Sequence, residues 1–492
     1  MTPRLRRLGA PAVVMAGFVA AGLLLDRTNA FPLLRVALNR TPARIPSTLV
    51  LPQEDRALGV PTVSLYVPNR HLYDLDTGIL RHRLRHGKRW ERQGWISFFE
   101  HGQLTFGGSA GVRVHGGGSR TTPFPQSFRL YFRKEYGTTA LPGAVAFGGT
   151  HTHALKRLIL HNDMRLWRSV ENRYHLINPL AFDIARAMGN ITPETRPVRF
   201  YLNGTFQGVY VLTEHFDVRD FFEPHNGRRA YMNDDQLDRL WSDVRSLTPL
   251  SMRTIAPLVD IDNLTRWFMA MEFCGTLDAY QGPGQFYQPE RRPAPWFWVT
   301  WDMDQSFRNQ DVDNFEALLE RPGVHRGRRA NEPRPRILTT LLREDPEYRE
   351  YFKALWVELM NFAVTRDFVR ERFAYYAAES LRLGVPDSEY LPHVRQFLED
   401  RPAIIRAQAA HWLGTGPMLR LEVWSGGRPI SVNGHTVESG WEGYYFPGMA
   451  VRVEATKPDD TPVRWRVNGA PADGSALAFR IDRDTVLQAI TD

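Results

Sequence analysis

The sequence predicts an α+β protein, and three observations predict it. Residues 60 to 150 carry short segments that alternate apolar and polar residues between glycine-rich breaks. Residues 336 to 413 carry apolar residues at three- and four-residue steps, the spacing of one helix face. Residues 417 to 492 return to short alternating segments split by Gly, Asn and Asp. At 492 residues the chain is long enough for a sizeable core and an appended module. No repeat of about 20 to 50 residues recurs, which excludes a solenoid.

The elements follow in chain order. Arg4, Arg6 and Arg7 precede LGAPAVVMAGFVAAGLLL, an uncharged apolar run of 18 residues, and Asp26 and Arg27 follow it. That layout is an export signal with Thr28-Asn29-Ala30 as its cleavage site, or an N-terminal membrane anchor. With the arginines held inside, either outcome puts residues 31 onward outside the cytoplasm. Residues 31 to 59 read as a linker. PTVSLYVP, GWISFFEHG, GVRVHGGGS and QSFRLYFRKEYG are strands. Val170, Tyr174, Ile177, Leu180, Ile184 and Met188 predict a helix over about 168 to 188, with Gly189 as its stop.

Asn203-Gly204 between two alternating runs predicts a tight hairpin. Leu264, Phe268 and Met271 predict a helix over 260 to 280, and WFWVTW a strand. Three helical stretches fill 336 to 413. MLRLEVWSG, RPISVNGHTV, MAVRVEATK and TPVRWRVNGA predict a small antiparallel β-sandwich over 417 to 492.

Composition narrows the partners. The net charge is +8 and the pI about 9.6, carried mostly by scattered arginines. Scattered positive charge suits anionic partners in general and selects none. No nucleic-acid-binding signature occurs, so nucleic acid is not an expected partner. The single cysteine, Cys274, cannot form an intrachain disulfide and reads as a small core residue.

Three stretches could carry chemistry. In WDMD, Asp302 and Asp304 share a face if extended geometry continues past the strand. Two carboxylates so placed repel unless a cation lies between them, and hard oxygen ligands favour Mg²⁺, Mn²⁺ or Ca²⁺. An acidic turn in solvent is the alternative. A calcium loop is excluded, because Phe307 stands where that loop needs Gly and Asp313 where it needs Glu.

Asp278, in GTLDAYQGPGQFYQ, is a second acid on a Gly/Pro loop leading to the WFWVTW strand. One carboxylate to orient a hydroxyl and another to hold metal on phosphates is what phosphoryl transfer needs. In VRVHGGGSR the glycines admit close backbone approach, and Arg113 and Arg120 could meet phosphate. A glycine-rich turn explains that stretch equally well. His151 and His153 in GGTHTH lack a carboxylate or cysteine at ligand spacing and read as a polar loop. No GxSxG elbow and no Ser/His/Asp set occurs.

These segments in this order resemble the CotH family, the atypical protein kinases first known from bacterial spore coats. The resemblance runs through VRVHGGGSR, QSFRLYFRKEYG, LKRLILHND, RFYLNGTFQGVYVLTEHFD, LDAYQGPGQFYQ and WVTWDMDQSF to VRQFLEDRPAIIRAQ, covering about residues 60 to 413. It implies a divergent two-lobed kinase-like core, with a β-rich N-lobe and a helical C-lobe. It also implies ATP with Mg²⁺ or Mn²⁺, and phosphate transfer to Ser or Thr of a protein.

By the same resemblance Asp278 takes the catalytic place, and Asp302 and Asp304 hold metal. Gln285 stands where relatives carry an Asn, and could still reach metal. Nucleotide would lie by Arg113 and Gly117 at the glycine turn, by Arg129, and along Leu212 to Glu214, where a strand edge would meet adenine. The chain departs from its relatives at Pro125-Gln126-Ser127-Phe128, which lacks their phosphate-pairing lysine; Arg129, Arg133 or Lys134 would substitute. The expectation is therefore an exported kinase acting on a protein acceptor, periplasmic, at the cell surface or anchored at the membrane. The alternative is a non-catalytic protein that binds an envelope polymer.

Overall fold

The structure is a computed structural model. It describes residues 51, 53–121, 126–149, 151–162, 176–216, 230–231, 234–276, 285–289, 295–319, 333–385, 390–455, 464–474 and 476–490. The N-terminal apolar run lies outside these residues. Among the described residues no helix is long and apolar enough to cross a membrane. The architecture is mixed α+β, and the chain divides into two compact units.

The first unit comprises Met1–Leu176, Glu194–His215 and Glu379–Ser388. Its main sheet, among the described residues, has seven strands: β1 (Thr62–Tyr66), β2 (Arg92–Glu100), β3 (Gln103–His115), β4 (Ser127–Tyr131), β5 (Arg157–His161), β6 (Thr195–Leu202) and β7 (Thr205–Glu214). They close into a barrel in the order β1-β2-β3-β4-β5-β7-β6, and a parallel β1–β6 pair completes the ring. Closure removes the sheet edges. Alternate residues point inward and fill the interior, among them Val63, Leu65, Ile96, Val112, Leu130 and Phe200. The predicted hairpin joins β6 to β7. Asn203 and Gly204 have φ of 53° and 77°, as such a turn requires. The Asn203 amide also clamps the Val67 backbone, accepting from its N–H at 2.7 Å and donating to its carbonyl at 2.7 Å.

The second unit comprises Ile177–Pro193, Phe216–Ala378 and Glu389–Asp492. Its longer helices are α1 (Ile177–Ala187), α2 (Asp234–Ser246), α3 (Ile261–Cys274), α4 (Pro333–Glu344), α5 (Pro346–Glu358), α6 (Arg366–Arg382) and α7 (Tyr390–Leu413). The last residues of α6 belong to the first unit. Helix α1 is the described part of the helix expected over 168 to 188; residues 163 to 175 lie outside the description. Helix α3 is the centre of this unit, buried on nearly every side. Asp260 caps its start through the Asn263 N–H, and Gly275, left-handed, ends it five residues before the predicted stop.

Gln285–Pro289 (β8) pairs antiparallel with Phe297–Val299 (β9). The strand within WFWVTW is therefore three residues long. Trp296 and Trp298 are buried, so they are core residues rather than an exposed platform.

Beyond α7, nine strands among the described residues from Leu419 to Ile490 form a five-stranded and a four-stranded sheet. Most pairs are antiparallel, as expected. The exception is Leu419–Trp424 with Thr485–Ile490, which run parallel, so the segment is not purely antiparallel. Asn361 fastens the five-stranded sheet to the helices: its Nδ2 donates to the Tyr444 carbonyl at 3.1 Å and its Oδ1 accepts from the Tyr444 N–H at 2.9 Å.

Candidate functional site

The acid turn sits where β9 ends. Asn263 on α3 holds β9 by accepting from the Trp298 N–H at 2.6 Å and donating to the Trp298 carbonyl at 3.1 Å. The strand stops at Val299, and Asp302 turns left-handed at φ 61°. Extended geometry does not continue, so the premise that put both carboxylates on one face fails. Asp302 is exposed, whereas Asp304 is buried and accepts from Gln305 Nε2 at 3.1 Å. Between and after them Met303 and Phe307 are buried in the core, and the two acids differ in exposure. Ser306 Oγ is buried with no hydrogen-bond partner among the described residues.

The turn is tied to the C-terminal end of α3. The Phe307 N–H donates to the Cys274 carbonyl at 2.9 Å. Arg401 of α7, fully buried, donates through Nε to the Glu272 and Phe273 carbonyls at 3.2 Å each, through Nη1 to the Gln310 carbonyl, and through Nη2 to the Glu272 carbonyl. Nη2 also lies 3.2 Å from the Glu272 carboxylate, whose other oxygen accepts from the Asn314 N–H at 2.9 Å. The helix C-terminus thus receives the cation it favours. Burial pushes the Glu272 carboxyl up to about 7, with Arg401 pulling the other way. Burial also pushes the Cys274 thiol up, as suits an inert core cysteine. Asp313, which could not complete a calcium loop, accepts from the Glu316 N–H at 2.9 Å and from Trp412 Nε1 at 2.9 Å.

On the barrel unit, the glycine turn borders a pocket of about 130 Å³ lined by Arg85, His86, Trp90, Arg113, Arg120 and Arg129, among others. Arg113 is neutralised by the buried Glu91, to which its Nε donates at 2.7 Å. Arg120 is held by the Arg83 and Arg85 carbonyls at 3.1 and 2.9 Å and by the Val114 carbonyl. Burial, then repulsion from Arg129, pulls the Arg120 guanidinium down to about 10. Burial lowers His86, with Arg120 and Arg129 adding to the effect. His115 is lowered well below the ordinary range by burial and then by Arg129, so it is neutral and its Nδ1 accepts from Arg129 Nη2 at 2.9 Å. A cavity that discourages every further positive charge is suited to an anion.

A third group lies in the same unit. Glu214, at the end of β7, reaches His151 and His153: His153 Nε2 is 2.7 Å and His151 Nε2 3.8 Å from Glu214 Oε1. The loop histidines therefore do have a carboxylate, and their reading as a plain polar loop is corrected. Their partner is 61 residues away in sequence, beyond any spacing rule.

Arg113 and Arg129 thus share one pocket with Arg120. Gly117 stands in the adjoining turn with open space about it. The strand edge expected at Leu212 is absent, because the closed barrel pairs Leu212 with Leu160 on one side and Arg196 on the other. The Leu212 side chain fills the barrel interior, and Glu214 turns to the histidines. Asp278 lies outside the described residues. So does the side chain of Gln285, whose backbone opens β8.

A family model for the CotH kinase protein matches residues 112–236 and 222–383, more than half of the chain. The chain belongs to the CotH kinase family. No curated protein matches it. The CotH match takes in the glycine turn, the Asn203-Gly204 hairpin, Asp278 and both acids of WDMD, and stops short of α7 and the C-terminal sheets. A kinase-like family implies, in general terms, a nucleotide, a divalent metal and a protein substrate. Two residues that shape these sites escaped the sequence reading. Glu91 and Arg401 each sit in a run of charges, KRWER and EDR, and only burial against a partner marks them out.

Proposed function

We propose that this CotH-family protein is a two-lobed, exported phosphotransferase that moves the terminal phosphate of ATP to a Ser or Thr hydroxyl of a protein. The observation that carries this reading is the tether between the acid turn and the end of α3. Phe307 and Arg401 fix the turn holding Asp302 and Asp304 to the carbonyls of Glu272, Phe273 and Cys274. Asp278 follows Gly275 by three residues, a span of at most about 11 Å of extended chain. That bound supports a shared site for Asp278 and the acid turn.

The donors suit a hard cation. Asp302, Asp304, the Gln285 amide oxygen and the Ser306 hydroxyl are all oxygen ligands, fitting Mg²⁺ or Mn²⁺. The ion would neutralise charge on the phosphates. Asp278 orients the acceptor hydroxyl and takes its proton as the new P–O bond forms and the bond to ADP breaks. The pocket of Arg120 and Arg129, with Arg113 and Gly117 at its rim, takes an anionic phosphate.

The basic, apolar N-terminus supports export, by a cleaved signal or by an anchor that leaves the protein at the membrane. The C-terminal sheets suit a surface or periplasmic setting, where the acceptor is another protein or an envelope component.

Thermal unfolding with ATP and Mg²⁺ or Mn²⁺ tests the proposal. At ligand about a hundredfold above Kd the wild type gains about 2.7 kcal/mol, and Asp302→Ala loses that gain. Transfer of labelled phosphate to a Ser-rich acceptor accompanies it. A wild type that neither shifts nor transfers overturns the reading and leaves a non-catalytic binding protein.

A further inference from the structure

Three ligand-type atoms from separate parts of the barrel unit meet at one point. His151 Nε2 and His153 Nε2 lie 2.9 Å apart. Glu214 Oε1 is 2.7 Å from the second and 3.8 Å from the first. Each imidazole nitrogen offers one in-plane direction, for a proton or for a lone pair. His153 Nε2 has two polar neighbours for that one direction, so hydrogen bonding serves one of them well and the other poorly. A single cation serves all three atoms at once. The triangle is small enough that an ion just off its plane stands about 2.0 to 2.2 Å from every atom, the range of zinc bonds to imidazole and carboxylate.

The surroundings hold the three side chains in place. Leu141–Pro142 pairs with Ala154–Leu155 and closes the loop that bears the histidines. Gly143 donates to the His153 carbonyl at 3.0 Å, and a Cβ at Gly143 would fall 2.2 Å from His151 Cδ2. Phe147 sets its ring edge-on to His151 at 5.0 Å. The Glu214 side chain is 2% exposed, and its second oxygen accepts from the Glu194 N–H at 3.3 Å. A ligating carboxylate is commonly steadied by such an outer hydrogen bond.

We propose that His151, His153 and Glu214 bind a divalent transition-metal ion, zinc foremost. Two imidazoles and one carboxylate suit zinc-class ions, whereas magnesium and calcium prefer all-oxygen sets. This centre is therefore chemically distinct from the acid turn, and it stands whether or not the protein is a kinase. Three protein ligands leave a fourth position of a tetrahedral ion for water or a bound group. The ion also ties the loop of residues 141 to 155 to the end of β7.

The test uses the full chain stripped by chelator and titrated with Co²⁺, then with Zn²⁺ against a chromophoric chelator. The expected result is one equivalent of Co²⁺ with tetrahedral visible bands, displaced by Zn²⁺. His153→Ala and Glu214→Gln weaken binding at least about tenfold, while Asp302→Ala leaves it unchanged. His153→Asn, a polar change at a side chain 18% exposed, replaces His153→Ala if that variant is poorly folded by circular dichroism. Absence of the bands in the wild type, wild-type affinity in the His153 and Glu214 variants, or loss of the site in Asp302→Ala each overturns the proposal.

Discussion

Asp302 and Asp304 stand two residues apart in sequence, yet one is exposed and the other buried. His153 and Glu214 stand 61 residues apart, yet their polar atoms touch at 2.7 Å. The difference lies in what fixes each group. At the acid turn the deciding force is burial of the intervening residues: Met303 and Phe307 enter the core, and a left-handed residue at 302 turns the chain to let them. At the histidine cluster it is the barrel ladder, since β5 pairs with β7 and sets Leu158 opposite Glu214, next to the loop that bears the histidines. Local spacing predicts side-chain proximity only while the backbone stays regular.

The largest break of this comparison comes from the tether. Arg401→Ala leaves the Glu272 carboxylate buried beside an absent partner and should cost about 3 to 5 kcal/mol of unfolding free energy, read by denaturant titration. The Co²⁺ site on the barrel unit should survive under native conditions. Next, Asp304→Ala should abolish the stabilisation of about 2.7 kcal/mol by saturating ATP with Mg²⁺ and leave the Co²⁺ bands intact. His153→Ala should do the reverse, losing Co²⁺ affinity by about 10- to 100-fold while keeping the nucleotide shift.

A finer contrast separates the two acids without ligand. Asp302→Asn, at an exposed side chain, should change stability by less than about 0.5 kcal/mol, whereas Asp304→Asn, at a buried one, should cost about 1 to 3 kcal/mol.

A last contrast is in pH. Glu272 is held up to about 7, above the ordinary value of 4.5. Between those values the folded chain keeps a proton that the unfolded chain has released, so this group's contribution to stability falls as pH rises from about 4.5 to about 7. The wild-type unfolding free energy should therefore fall by about 1 to 3 kcal/mol relative to Glu272→Gln across that window. Parallel curves for the two proteins would remove Glu272 as the source.

Much of the fold was legible. The Asn203-Gly204 hairpin followed from the two residue types that accept positive φ, and the C-terminal strands from their alternation. Gly275 marks the true end of α3, while the apolar spacing overran it, because periodicity carries no stop of its own. The candidate site was legible only as a set of residue types. Arg113 and Arg129 come together because they face each other in the β3–β4 register. The strand edge expected at Leu212 is missing because edge status depends on which strands close the barrel, and no local pattern encodes that.

The sequence by itself determined the element types, the oxygen-rich chemistry of WDMD and membership of the CotH family, since these depend on residue identity and short-range spacing. The tertiary structure alone decided which carboxylate is buried, that Glu91 pairs with Arg113 and Arg133, and that Glu214 meets two histidines. Those outcomes depend on strand order and on burial against distant segments, and desolvation sets the charge state of a group only after its neighbours are in place.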